Sequence, residues 1–201
     1  VQIVLSDKNS RHFVKVIDKA KEKYQTEVVK RESEMVNVEN WNIPESLTYS
    51  REYSVASVKK SIMQPFFSDG KWKSEVAFVN FLEKSERVEW WFKNGDRDAT
   101  FFAVRYDNGE EKPFYVDFIV KLKDGRIGLF DTKAGLTKQV AGPKIDGLYK
   151  YIQAENKKGK KCFGGIVANT ERNYRGRWVY FNRTSKDFKD NSFENWADLV
   201  L

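Results

Sequence analysis

Two aspartates and a lysine occupy positions at which charged residues are rare. Asp117 interrupts the apolar stretch of residues 114–120, and Asp131 directly follows the apolar residues 127–130. Lys133 stands two residues after Asp131, so both side chains would leave a strand on the same face. A carboxylate inside a buried strand is costly unless it is paired, hydrogen-bonded or bound to a metal. The pattern therefore predicts a site made of two carboxylates and a lysine.

The turn between the two strands decides whether these acids meet. A three-residue loop over residues 123–125 would end on a glycine, which suits the left-handed backbone conformation required there. That register sets Asp117 opposite Asp131, with both side chains on one face. A two-residue Asp-Gly turn would instead set Asp117 opposite Thr132 and send Asp131 to the other face. The predicted site therefore requires the odd-length loop or a bulge.

Such a site suits phosphodiester hydrolysis. Two facing carboxylates repel each other, which raises a pKa unless a cation lies between them. Mg²⁺ prefers such oxygen ligands and keeps several waters, with Mn²⁺ as an alternative. Lys133 could orient or deprotonate a water, or stabilise charge on a phosphorane. An ordinary cross-strand Asp–Lys arrangement on a solvated face explains the same spacing, although the apolar flanks count against it.

The composition excludes several other chemistries. The 201 residues contain one His and one Cys, so neither an internal disulfide nor a Cys/His zinc site is expected, and most His-dependent hydrolysis is disfavoured. The formal charge of +7 permits nucleic-acid binding, but simple solubility explains it equally well. Neither a long apolar run nor a signal-peptide pattern is present, so no association with a membrane is expected. The chain begins at Val1, which suggests a piece of a longer protein.

The elements that must position these residues follow from apolar periodicity. Residues 1–60 are interpreted as a helical and linking region with a helix over 11–31, and residues 61–201 as the functional domain. Ser74 is expected to cap a helix that runs to about Ser85. The remaining predictions are strands over 88–93, 100–106, 113–122 and 126–134, a helix over 144–157, and strands over 162–168 and 178–182. This order predicts an α/β class with a mixed α+β sheet, an antiparallel meander and flanking helices in three layers.

Four stretches of this domain resemble a known superfamily. They are residues 74–83 (SEVAFVNFLE), 88–95 (VEWWFKNG), 114–120 (FYVDFIV) and 128–135 (GLFDTKAG). Together they resemble the PD-(D/E)XK nucleases, and within these the C-terminal endonuclease domain of type III restriction enzymes. The family's proline before the first acid is Val116 here, and the second acid is Asp rather than Glu.

The resemblance implies a restriction-endonuclease-like core and a Mg²⁺-dependent DNA endonuclease. Asp117 and Asp131 would be metal ligands, Lys133 the catalytic lysine, and Glu75 an auxiliary acid and metal ligand. Glu75 could equally be a favourable anion at a helix N-terminus. Gln153 is a further candidate catalytic residue, since similar nucleases carry a supporting Gln or Tyr on that helix. Basic residues that could contact DNA are Lys93, Arg97, Lys138, Lys144, Arg172, Arg175 and Arg177.

The resembled enzymes also suggest a location, the bacterial cytoplasm, and partners. Double-stranded DNA would be the substrate, an ATP-dependent motor domain would precede the nuclease, and a methyltransferase subunit would accompany it. The sequence has no Walker A pattern, so no ATP site is expected in this chain. Two alternatives stay open: a catalytically silent nucleic-acid-binding or scaffolding module, and a related repair or RNA nuclease.

Overall fold

The computed structural model describes residues 9, 13–21, 23, 41–95, 100–107, 109, 111–132 and 138–201. In these parts, helix α1 covers residues 13–21. The later helices are α2 (Lys73–Lys84) and α3 (Lys138–Lys157). The strands are β1 (Ser54–Ala56), β2 (Phe66–Ser68), β3 (Val88–Lys93), β4 (Ala103–Asp107), β5 (Glu111–Tyr115), β6 (Phe118–Leu122), β7 (Ile127–Thr132), β8 (Cys162–Asn169), β9 (Trp178–Phe181) and β10 (Ala197–Asp198).

Six of these strands form one mixed sheet in the order β10-β9-β8-β7-β6-β3. Strands β7 and β8 are parallel because α3 carries the chain back between them, and the other neighbours are antiparallel. Two separate two-stranded sheets pair β1 with β2 and β4 with β5. The fold is therefore α+β with a mixed sheet. The predicted antiparallel meander is found only for β3, β6 and β7, because the predicted strand over 100–106 corresponds to β4, which pairs with β5 outside this sheet.

Alternation along the central hairpin divides the core into two layers. Phe118 and Phe130 point towards α2, where their rings lie 5.2 Å and 5.6 Å from the ring of Phe78. The intervening positions Ile119 and Leu129 belong to the core beneath α3. Burial of each such side chain contributes about 2 kcal/mol, so both faces of the sheet must stay covered.

The β6–β7 turn has the predicted three-residue loop. Gly125 has a φ of +91° and donates its N–H to the carbonyl oxygen of Leu122 at 3.0 Å. Leu122 in turn donates to the carbonyl of Arg126 at 2.9 Å. The ladder then runs to the pair Phe118 and Phe130, which is the predicted register. This part of the sequence prediction is confirmed.

Strand β8 approaches both of its neighbours closely through two glycines. Gly164 has a φ of +132° and Gly165 a φ of +146°. A Cβ on Gly164 would lie 2.0 Å from the carbonyl oxygen of Leu129, and one on Gly165 would lie 1.8 Å from that of Phe181. Only glycine fits this backbone path in the middle of the sheet.

The prediction that Ser74 caps α2 is wrong. The helix begins at Lys73, and the residue before it, Trp72, makes no side-chain capping hydrogen bond. Ser74 is instead a buried residue of the first turn, on the same face as Phe78 and Leu82. The pattern of buried residues, rather than a capping hydroxyl, decides where this helix packs.

The expected single strand over 113–122 is also wrong. The chain breaks at Val116 and Asp117, so that β5 pairs with β4 outside the main sheet while β6 enters it. Helix α3 begins at Lys138, earlier than the predicted residue 144, and Pro143 lies inside the helix. The predicted strands over 88–93, 162–168 and 178–182 correspond closely to β3, β8 and β9.

Residues 41–60 contact the domain at several points. The indole Nε1–H of Trp41 donates to the carbonyl of Thr100 at 2.9 Å, and its ring lies 5.5 Å from that of Phe102. Backbone hydrogen bonds join Trp91 to Lys60 and Ile62. Of the predicted helix over 11–31, residues 13–21 and 23 are helical, and the other residues lie outside the described part of the chain. None of the described helices is both long enough and apolar enough to cross a membrane.

Candidate functional site

Three charged side chains from three elements meet beside the central hairpin. Glu75 comes from the first turn of α2, Lys93 ends β3, and Asp117 immediately precedes β6. The Nζ of Lys93 lies 3.3 Å from Oε2 of Glu75 and 3.5 Å from Oδ1 of Asp117. The side chains of Glu75 and Asp117 are each 22% exposed, and that of Lys93 is 27% exposed. Two carboxylates therefore share one ammonium group at a partly exposed position.

Asp117 is fixed by the end of β7. Its Oδ2 accepts hydrogen bonds of 2.7 Å from both the N–H and the Oγ1–H of Thr132. Asp117 lies in a bend, one residue beyond the last ladder pair of Phe118 with Phe130. Its carboxylate thus turns to Thr132 and to Lys93, although the register of the hairpin is the predicted one.

Asp131 takes a different position. It lies within β7, is only 3% exposed, and pairs in the ladder with Ile166 of β8. Because Phe130 packs under α2, alternation directs the Asp131 side chain to the face that α3 covers. Among the residues that the structure describes, no group of three or more His, Cys, Asp or Glu side chains could hold a metal ion. The structure therefore brings Glu75 and Asp117 together but does not add Asp131 to them.

Asn94 positions this site, and the sequence interpretation missed it. Its buried side-chain amide donates to the carbonyls of Phe102 at 2.7 Å and Val116 at 2.9 Å, while its Oδ1 accepts the N–H of Phe102 at 3.0 Å. Its own N–H bonds the carbonyl of Asp117 at 2.9 Å. An Asn after a strand is typical of a turn, so the sequence carries no signal of this buried bridging role.

The described side chains of the site, Glu75, Asp117 and Lys93, carry a formal charge of −1. Burial raises the pKa of Glu75 above its ordinary value, the ammonium of Lys93 opposes that shift, and the nearby carboxylate of Asp117 adds to it. A second cation near Glu75 and Asp117 would relieve the remaining repulsion.

The pair of carboxylates lies on the wall of a large cleft. The cleft has a volume of about 690 Å³, and Glu75, Lys93 and Asp117 are among its lining residues. Much of the remaining wall is aromatic and includes Tyr49 and Phe67, whose rings lie 5.0 Å apart. A ligand in this cleft would meet flat apolar surface and a charged end.

The other predicted residues that the structure describes do not belong to this cluster. Gln153 is exposed on α3. Lys144 has its Nζ 5.1 Å from the centre of the Phe114 ring, and Arg177 forms two hydrogen bonds of 2.8 Å with Asp198. Arg172 and Arg175 are exposed in the loop between β8 and β9. Lys133 and Arg97 lie outside the described residues, as does the side chain of Lys138, the first residue of α3.

The donor chemistry of the cluster fits a hard divalent cation. Mg²⁺ is commonly held by one or two carboxylates together with waters and substrate phosphates. Glu75 and Asp117 supply two such carboxylates, and the position of the Lys93 ammonium between them marks where positive charge is favourable.

Comparison of the chain with protein-family models, with curated proteins and with solved structures finds no match.

Proposed function

We propose that this chain is a Mg²⁺-dependent DNA endonuclease domain that hydrolyses phosphodiester bonds. The observation that carries the proposal is the pair of carboxylates, Glu75 and Asp117, which share a single cation on the wall of a large cleft. The mixed sheet with a helix on each face supports the proposal, because it is compatible with the core that the sequence resemblance implies. The finer proposal is the cleavage module of a type III restriction enzyme, with double-stranded DNA as substrate and a motor domain and methyltransferase subunit as partners.

Each residue of the proposed site has a definite role. Asp117 and Glu75 would hold Mg²⁺ or Mn²⁺. Only the resemblance adds Asp131 as a ligand, because in the structure it is a buried residue of β7 that is not part of their cluster. When bound, the ion would supply an activated water and neutralise charge on the phosphate. On the resemblance alone, Lys133 would orient the attacking water and Gln153 would be a supporting residue. Lys93 would exchange its carboxylate partners for a phosphate oxygen of the DNA.

Thr132 and Asn94 would act as positioning residues. The two hydrogen bonds from Thr132 fix one oxygen of Asp117 and leave the other directed to Lys93. The Asn94 backbone bond fixes the main chain at the same residue. A carboxylate held in this way keeps its orientation without rearrangement, which is the preorganisation that metal-assisted hydrolysis requires.

Plasmid nicking with Mg²⁺ or Mn²⁺ tests the proposal. Asp117→Asn keeps an acceptor for Thr132 but removes the charge, and Asp131→Ala and Lys133→Ala remove the other two groups. Asp124→Asn is the matched control, because Asp124 is an exposed acid in the turn of the same hairpin. We expect the three site variants to lose more than about 100-fold in nicking rate, since even the outer-shell partners of a metal cost about 10- to 100-fold.

The controls separate the outcomes. EDTA should abolish nicking by the wild type, and Asp124→Asn should nick at the wild-type rate. Equal nicking by all variants would indicate a contaminating nuclease and would overturn the assignment. Preference for an RNA substrate at the same residues would move the proposal to the related repair or RNA nucleases.

A catalytically silent nucleic-acid-binding or scaffolding module is the second candidate. The observation in its favour is the ion pairing of Lys93 with both carboxylates, which satisfies them in part without a metal. In that case neither Mg²⁺ nor Mn²⁺ would support nicking, while salt-sensitive DNA binding would persist in Asp117→Asn.

A further inference from the structure

Helix α2 carries two different stripes of residues. Its core stripe consists of the buried residues Ser74, Phe78, Val79 and Leu82. The other stripe faces a groove beside the β8–β9 loop and repeats at the helical spacing of three and four residues. Its members are Lys73, Val76, Ala77, Asn80, Phe81 and Lys84. We call the space above this second stripe the α2 groove.

The opposite wall of the α2 groove is aromatic. Tyr174 from the β8–β9 loop stacks on Trp178 of β9, with ring centres 6.3 Å apart and planes at 17°. Trp178 also lies 5.9 Å from Phe81, at 32°. The groove has a volume of about 500 Å³, so there is room for flat rings beside these three. Tyr174 has a φ of +59°, a left-handed conformation that is uncommon for a residue with a side chain.

The charge around the α2 groove is positive. Its described lining contains Lys73 and Lys84 and no Asp or Glu. In the part of the chain that the structure describes, neither lysine forms a salt bridge, and both are exposed. The two lysines begin and end α2, roughly 16 Å apart at about 1.5 Å per residue. Arg172 and Arg175 are exposed on the loop that forms the other wall.

We propose that the α2 groove binds single-stranded nucleic acid, with unpaired bases against Tyr174 and Phe81 and backbone phosphates on Lys73 and Lys84. Strands without base pairing are bound by such combinations of aromatic platforms and a positive track, because every base has a face that can stack. An acidic peptide would satisfy the lysines but would leave the aromatic wall without a planar partner.

The α2 groove adjoins the cleft that contains Glu75 and Asp117. Gly70, Val76 and Asn80 line both spaces, so a bound strand could pass from one to the other. Binding in the groove nevertheless needs no metal and no catalysis, because none of its proposed contacts involves a carboxylate. The inference therefore stands whether or not the proposed endonuclease activity is found.

Fluorescence anisotropy with a labelled oligothymidylate of about ten nucleotides tests the inference in EDTA. Lys73→Gln/Lys84→Gln should weaken binding about tenfold, and the slope of log K against log salt should fall by about 1.4. Tyr174→Ser should weaken binding at least about fivefold, while Tyr174→Phe should keep wild-type affinity because it retains the ring. Lys150→Gln, an exposed lysine on α3 at the other face of the sheet, is the matched control for charge.

Three results would overturn the inference. The first is that the wild-type protein does not bind the oligothymidylate. The second is that the double lysine variant binds it as tightly as Lys150→Gln does. The third is that Tyr174→Ser binds it as tightly as Tyr174→Phe does. Inorganic polyphosphate and poly-glutamate have no bases. If either displaced the labelled strand at the same concentration as unlabelled oligothymidylate does, that result would also count against the inference. Circular dichroism of each variant confirms that a loss of binding is not a loss of fold.

Discussion

Two clusters in this molecule pair carboxylates with lysines, and they balance charge in opposite directions. In the cleft, Glu75 and Asp117 share the single ammonium of Lys93. At the end of α3, the buried carboxylate of Glu155 pairs with two ammonium groups, those of Lys158 at 3.0 Å and Lys160 at 2.5 Å. Counted over the described side chains, the first cluster carries one negative charge in excess and the second one positive charge in excess.

The pKa values of the two glutamates differ accordingly. Hydrogen bonding to Lys160, reinforced by Lys158, holds the pKa of Glu155 below its ordinary value despite burial. Burial dominates at Glu75 and raises its pKa, because one shared lysine does not compensate two carboxylates. The same residue type is therefore stabilised as an anion at one site and penalised at the other.

The difference separates a structural cluster from a candidate site. Glu155 closes the turn from α3 to β8, beside Asn156, whose side chain exchanges two hydrogen bonds with the backbone of Cys162. Its charge is already satisfied by its own neighbours. The cluster of Glu75 and Asp117 still favours additional positive charge and opens on a cleft. An excess of negative charge beside a cleft is what a cation site requires.

Among the variants that test this comparison, Lys93→Met should cause the largest loss of stability. It leaves Glu75 and Asp117 facing each other without a cation, so the free energy of unfolding near pH 8 should fall by about 2 kcal/mol. Millimolar Mg²⁺ should restore most of that loss, since an ion that binds only the folded state stabilises it. Urea unfolding with and without Mg²⁺ measures both effects.

Lys71→Met is the matched control for that change. Lys71 pairs with Glu52 and Asp69 at an exposed position, where ion pairs contribute at most about 1 kcal/mol. It should show a small loss of stability and no response to Mg²⁺. Equal losses and equal Mg²⁺ responses in the two variants would mean that the cleft cluster is not a cation site.

Glu155→Gln should cost less, about 1.5 kcal/mol at neutral pH, because it weakens two charge-assisted hydrogen bonds at a buried position. The pKa of Glu155 is lowered in the folded state, so its contribution is present above the unfolded pKa of about 4.3 and is lost as the pH falls through the folded pKa. The gap between wild type and variant should therefore close in acid. Glu86→Gln, at an exposed position, is the control and should change stability little at any pH.

Local signals in the sequence predicted the hairpin but not the contacts of its acids. The register of β6 with β7 follows from a glycine in a three-residue turn, which neighbouring residues alone determine. The bend at Asp117 depends on β5 pairing with β4 instead of continuing into the sheet. That choice is made by non-local packing, which strand periodicity over residues 113–122 does not reveal.

The same limit applies to the cluster in the cleft. Sequence interpretation proposed Glu75 and Asp117 as candidate residues, and the structure brings them together. The sequence prediction gave Lys93 as a phosphate contact and missed its pairing with the two acids. Nothing in the alternation of β3 indicates that its last residue meets acids from other elements. The bridging role of Asn94 is likewise a property of the folded arrangement of Phe102 and Val116.

Glu75→Gln should have the smallest effect, and one of opposite sign to Glu155→Gln. The raised pKa of Glu75 means that its contribution to stability is present below the unfolded pKa of about 4.3 and is lost as the pH rises through the folded pKa. Removing the charge leaves Lys93 to pair with Asp117 alone, so at neutral pH the variant should be more stable than wild type by about 0.5 kcal/mol. Urea midpoints across pH 4 to 8, roughly the range in which carboxylates with raised pKa values titrate, measure this gain. A variant less stable than wild type at neutral pH would show that Lys93 already balances both acids, and the contrast with Glu155 would fail.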